Sequence, residues 1–155
     1  MEAYSLLKTL HIISATVLFG TGLGIAFFFW MGGRSGDDRA ALFAAKATVT
    51  ADFLFTATAV VAQPLTGAVL ILQGGFDPLD HWLVTTYVLY ALAGICWFPV
   101  VVLQIRIRNA LQRKVDGGPF DAAAVRKMRA LWFALGWPAF LGLLVVFHLM
   151  VTKPS

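Results

Sequence analysis

An all-α integral membrane protein is the fold class this sequence predicts: a four-helix bundle, up-down-up-down, with both termini on the outer side. Three observations predict it. The 155-residue chain is 59% hydrophobic and only 13% charged, with a mean hydropathy of +0.80, whereas a soluble domain carries about 25% charge. Four apolar stretches, roughly 4–31, 47–72, 82–105 and 129–151, each reach the ~20 residues that a bilayer requires. Lys and Arg crowd into two of the intervening loops.

The same composition excludes other classes. A net charge of +4, sited in loops and at helix ends, reads as a topology signal and not as a nucleic-acid surface. The single cysteine, Cys96, lies in an apolar run. It can form no internal disulfide and reads as a small buried hydrophobe. The apolar run from Thr9 to Met31 exceeds the roughly 7–15 residues of a signal peptide, and no A-x-A site closes it, so it is expected to be a span. A single domain over 1–155 is expected, with no linker and no low-complexity segment.

Span one holds two ionisable groups, Lys8 and His11, in its outer third. Such residues inside a membrane mark function by default. His11, Ala15, Leu18 and Gly22 fall at i, i+4, i+7 and i+11, on one helix face. That face carries a metal-ligating imidazole at one end and small or aliphatic groups below it. Gly20 and Gly24 form a G-x-x-x-G pair. It predicts close helix packing, or room for a flat macrocycle.

Span two follows a Gly-rich loop in which Asp37 or Asp38 is the expected N-cap. Asp52 is expected at the headgroup level, solvated or paired with Lys46. Pro64 predicts a kink and a freed carbonyl near position 60, which a neighbour in the bundle must satisfy. Gln63, at mid-membrane, is expected to bond across to another helix.

The loop from Gln73 to His81 is turn-rich and acidic, with no Lys or Arg. Asp80 is the expected N-cap of span three. His81, in its first turn, is an interfacial residue and a reserve ligand. Span three carries Tyr87, Tyr90, Trp97 and Pro99 and leaves through Arg106 and Arg108. Asp121 is expected to cap the last helix. Span four holds Trp132, Trp137-Pro138, Gly142 and, near its end, His148.

The loops after spans one and three, with their flanks, hold ten basic residues; the other side holds two, Lys8 and Lys153. The positive-inside rule therefore predicts a bacterial inner-membrane protein with both termini periplasmic. All three histidines then fall in the outer third. At 1.5 Å per residue His11 lies roughly 10 Å in from Tyr4, and His148 roughly 6 Å from the outer end of its span. Spans one and four are expected to be adjacent and antiparallel, so that His11 and His148 face each other across a heme b. A neutral imidazole suits iron. Lys8, one turn above His11, reaches a heme propionate or snorkels to lipid headgroups.

The function these residues predict is a small b-type cytochrome. His11 and His148 ligate the iron, and Lys8, Ala15, Leu18 and Gly22 line the cofactor. The protein passes electrons between quinol and a periplasmic redox partner, or oxidises a porphyrinogen-type substrate; the redox chemistry belongs to the heme. Copper handling is one alternative, with His11, His148 and Met150 as imidazole and thioether ligands. A cofactor-free assembly role is another, its glycine-rich faces binding another membrane protein or a second copy in a homo-oligomer. The spans lack conspicuous midplane charges, which argues against an ion-coupled transporter.

Two resemblances add to this. Leu7-Lys8-Thr9-Leu10-His11-Ile12-Ile13, followed by a Gly-rich apolar helix, resembles the opening of HemJ-type protoporphyrinogen oxidases, and also the first span of CopD-like copper-resistance proteins. The HemJ resemblance implies heme binding at His11. Where that family carries an arginine later in the span, this chain has Phe27, and span three lacks that family's lysine, so the oxidase chemistry does not transfer. Gln63-Pro64-Leu65-Thr66-Gly67, Cys96-Trp97-Phe98-Pro99-Val100-Val101 and Met150-Val151-Thr152-Lys153-Pro154 resemble a bacterial family of small predicted integral membrane proteins with a domain of unknown function. This covers most of the chain and implies four spans without an activity.

Overall fold

The computed structural model describes residues 2–154. Its elements are α1 (Glu2–Arg34), α2 (Asp38–Ala51), a π-helical segment (Asp52–Thr56), α3 (Ala57–Gly74), α4 (His81–Val115) and α5 (Ala122–Thr152). No strand occurs among the described residues. α2, the π segment and α3 run on as one helix, so four helices are long and apolar enough to cross a membrane. Large apolar side chains such as Leu6, Phe28, Leu65, Leu72, Phe98 and Val151 are exposed on their outer faces. A helix apolar all round is the pattern of a lipid-facing span.

Side-chain caps start two helices as the sequence predicts. Asp37 Oδ1 accepts from the backbone N–H of Arg39 at 2.8 Å, and Asp121 Oδ1 accepts from those of Ala123 and Ala124 at 2.9 Å. Asp80 precedes α4, but only its backbone carbonyl takes part, accepting from Leu83 and Val84. The helices at the end of the molecule that carries the basic loops are longer than the predicted spans. α2 begins at Asp38, α4 continues to Val115 and α5 begins at Ala122. These extensions hold the core. Phe29, Leu42, Ala45, Leu103, Ile107, Leu111, Val125 and Trp132 pack there as one buried cluster. Small residues let α1 and α2 approach closely, and a Cβ added at Gly32 would overlap the Ala44 methyl.

Away from that end the packing changes. α4 lies along α5, and α3 lies along α1, while α2 packs on both α1 and α4. The π segment makes the change of partner. The Ala57 N–H donates to the Asp52 carbonyl, five residues back, and one residue more per turn rotates the following helix face by about 100°. α3 is thereby turned toward α1.

Two packing expectations are corrected. Spans one and four do not pack along their length; α1 meets α5 at few positions, because α2 and α3 already occupy its inner face. Nor do Gly20, Gly22 and Gly24 form a seam, since nothing lies within 4 Å of where their Cβ atoms would be. Close-packed glycines lie elsewhere, among them Gly32 and Gly67, whose Cβ position is 3.4 Å from His11 Cε1.

Candidate functional site

α1 touches α5 through aromatic contacts at two levels, Phe19 against Phe140 and Phe147, and Phe29 against Trp132. The Phe19 and Phe140 rings stack with centroids 4.9 Å apart, and Phe29 meets Trp132 at 4.9 Å. Ten residues separate Phe19 from Phe29, about 15 Å along a helix. Between these contacts lies a cavity of about 410 Å3, walled by α1, the π segment, the start of α3, α4 and α5. Its exposed lining residues are Leu23, Phe27 and Trp30 of α1 and Trp137 of α5. The mouth therefore lies between α1 and α5 and faces the lipid, not either aqueous side.

The walls are apolar and rich in rings, among them Phe19, Trp97, Trp132, Phe133 and Phe140. Polar groups gather on one wall. Asp52 is 2% exposed; its Oδ2 accepts from Gln104 Nε2 at 2.7 Å and its Oδ1 from Trp97 Nε1 at 3.2 Å. Thr56, one turn on, is 7% exposed, and its hydroxyl has no hydrogen-bond partner. Across the cavity, Trp132 Nε1 is likewise buried without a partner. Buried polar groups are normally satisfied, and these two on cavity-lining residues are without a partner. No Lys, Arg or His lines the cavity among the described residues.

Asp52 corrects a further expectation. It is neither solvated nor paired with Lys46; the single ion pair among the described residues joins Lys114 to Asp38. The reason is helical register. Ala41, Ala45, Thr48, Asp52, Thr56 and Ala59 recur every three to four residues, and all are buried. Asp52 continues the inward face of α2. That stripe of small and short polar residues was the available signal, masked by its position next to the headgroup level.

His11 is half-buried against α3. Its Nδ1 lies 2.7 Å from Thr66 Oγ1. Thr66 Oγ1 also lies 2.7 Å from the Ala62 carbonyl; in the tautomer with the ring proton on Nδ1, His11 donates to Thr66 while the hydroxyl donates to that carbonyl, and Nε2 keeps its lone pair. Gln63 bonds across helices as expected, its Nε2 donating to the His11 carbonyl at 2.8 Å and to the Ser14 hydroxyl. His148, His81 and Lys8 are exposed, and no hydrogen bond joins any of them to His11 among the described residues. Of the other predicted lining residues, Leu18 and Gly22 line the cavity, while Ala15 and all three histidines lie outside it. No cluster of three His, Cys, Asp or Glu side chains capable of holding a metal occurs among the described residues.

A family model described as "Predicted integral membrane protein (DUF2269)" matches residues 5–154. No curated protein and no solved structure matches the chain. With nearly every residue covered and four helices able to cross a bilayer, the chain belongs to this family of predicted integral membrane proteins and is a multi-pass membrane protein.

Proposed function

We propose that this protein is a membrane-embedded receptor for a flat, lipid-soluble ring compound of the electron-carrier class, which enters from the bilayer between α1 and α5. The cavity carries the reading. Its volume of about 410 Å3 falls in the range of roughly 300–1,000 Å3 found for small-molecule sites. Aromatic walls favour a flat ring. The lipid-facing mouth favours a molecule already dissolved in the membrane.

Tryptophan fluorescence tests it, since Trp30, Trp97, Trp132 and Trp137 all line the cavity. Titrating the purified protein with a decyl-tailed benzoquinone should give saturable quenching. Quenching that rises linearly, as for free tryptophan in the same detergent, would contradict the reading.

Heme b on His11 is the second reading. The observation favouring it is the Nδ1–Thr66 hydrogen bond, because metal-bound imidazoles are held by such a bond through their other nitrogen. The fit is limited to the ligating atom. The cavity contains no histidine and no cation to meet a propionate, so His11 ligation and the cavity are two separate sites. Copper on His11, His148 and Met150 has no comparable support. The ten-to-two distribution of basic residues supports a bacterial inner membrane with periplasmic termini. In that orientation His11 is near the periplasmic face.

A further inference from the structure

We infer that the basic end of the gap between α1 and α5 binds one anionic phospholipid, whose phosphate is held by the guanidinium groups of Arg129 and Arg34. This site is separate from the cavity and independent of what the cavity holds.

Arg129 lies half-buried near the start of α5, with its Cζ 5.2 Å from the centroid of the Phe29 ring. Its Nη1 occupies space that Gly33 leaves by having no side chain. The cation is thus seated against the last turns of α1. Its Nε is buried without a partner, while Nη1 and Nη2 are not enclosed in this way. Arg34, one residue beyond Gly33, is exposed, and its Cζ is 5.2 Å from the Trp30 ring centroid. A guanidinium stacked on a ring keeps the N–H groups of its edge free for an oxyanion.

No carboxylate among the described residues pairs with either arginine. Those at this end of the molecule are engaged elsewhere. Asp37 and Asp121 cap α2 and α5, Asp38 pairs with Lys114, Asp116 accepts from the Gln112 amide, and Asp52 is buried on Trp97 and Gln104. The C-terminal end of α1 offers only about half an elementary charge against two guanidinium groups. A phosphate oxyanion supplies the missing counter-charge and suits two arginines, which bind it through paired N–H groups. Its source is the bilayer, because Phe27 and Trp30, on the cavity side of Arg34, are exposed and give acyl chains an apolar surface. Basic pockets between transmembrane helices bind anionic headgroups in this way. A zwitterionic headgroup brings its own cation, for which these two arginines offer no acceptor, so a phosphatidylglycerol-type headgroup fits better.

Native mass spectrometry of the full-length protein in detergent tests the assignment. The titrants are dioleoyl phosphatidylglycerol, dioleoyl phosphatidylcholine and glycerophosphoglycerol, the anionic headgroup without chains. The first phosphatidylglycerol should bind about tenfold more tightly than phosphatidylcholine, the worth of one charge-assisted hydrogen bond. Arg129→Gln and Arg34→Gln should each weaken phosphatidylglycerol binding about fivefold, the effect of one basic group at a membrane surface. Arg34 is exposed, so its variant decides the matter even if Arg129→Gln does not fold. Lys127→Gln, which removes the same charge from an exposed position on α5, should leave the affinity within about twofold. Equal affinities for the two lipids, a preference that survives Arg34→Gln, or an equal loss in Lys127→Gln would overturn the site. Glycerophosphoglycerol binding as tightly as the lipid would overturn the bilayer as its source.

Discussion

The Tyr90 hydroxyl donates to the Val60 carbonyl at 2.6 Å, the carbonyl that Pro64 deprives of its helical donor four residues on. α3 could otherwise not carry a proline in the membrane, where a bare carbonyl finds no water. The same bond ties α3 to α4 beside the cavity, which both residues line. Removing it with Tyr90→Phe should cost about 1–3 kcal/mol, the penalty for a buried acceptor left bare. With Pro64→Ala, which restores the helical N–H, the same substitution should cost less than half as much. A double-mutant cycle read by thermal denaturation in detergent checks this; equal penalties in both backgrounds would refute it.

The Asp52–Gln104 pair is predicted to be coupled. Gln104→Leu leaves a buried carboxylate short of a donor, and Asp52→Leu leaves two donors bare. Each should destabilise by about 1–3 kcal/mol. The double substitution to leucine should cost less than the sum, because it removes both ends of the bond. Additive losses would mean that the bond seen between Oδ2 and Nε2 contributes little.

Two glycines on one helix should respond in opposite ways. A methyl at Gly32 overlaps Ala44, whereas one at Gly22 meets nothing within 4 Å. Gly32→Ala should destabilise by about 1–3 kcal/mol through overpacking. Gly22→Ala should be neutral or stabilise by up to about 1 kcal/mol through helix propensity. Melting temperatures of the two variants side by side decide it.

Much of this fold was legible beforehand, and the reasons are local. The number of spanning helices follows from hydropathy, the caps from Asp37 and Asp121, and the need for a donor near Val60 from Pro64 alone. Gln63 had to bond across helices because a primary amide at mid-membrane has nowhere else to go. The site was less legible. Asp52 sits where a hydropathy profile begins to rise, so its sequence context suggests the headgroups, and only the register of α2 with Ala45 and Thr48 turns it inward. The pairing of α3 with α1 depends on the π segment, which no residue pattern announces. His11 was conspicuous as an ionisable residue in an apolar helix, but which neighbour it faces depends on that pairing.

The heme reading predicts a definite spectrum. If His11 ligates heme b, protein from heme-replete cells should show a Soret band and sharp reduced α/β bands, abolished by His11→Ala. Thr66→Val, which takes away the hydrogen-bond partner of His11 Nδ1, should weaken heme retention about 10- to 100-fold, the usual effect of losing such a supporting bond. His148→Ala should leave the bands in place if His148 stays exposed as it is here, and should abolish them if it is the second axial ligand. A protein without these bands would remove His11 from the list of heme ligands and leave the cavity reading untouched.

Two neighbouring glycines of α1 distinguish a ligand held in the cavity from one held elsewhere. Gly22 lines the cavity and Gly20 does not, and neither has an atom within 4 Å of its Cβ position. Gly22→Phe should place a ring in the cavity, and Gly20→Phe should place the same ring outside it. Titrated with a decyl-tailed benzoquinone, the Gly20→Phe protein should match the wild type, and the Gly22→Phe protein should lose saturable quenching. Equal binding by both variants would show that the ligand is not held between α1 and α5.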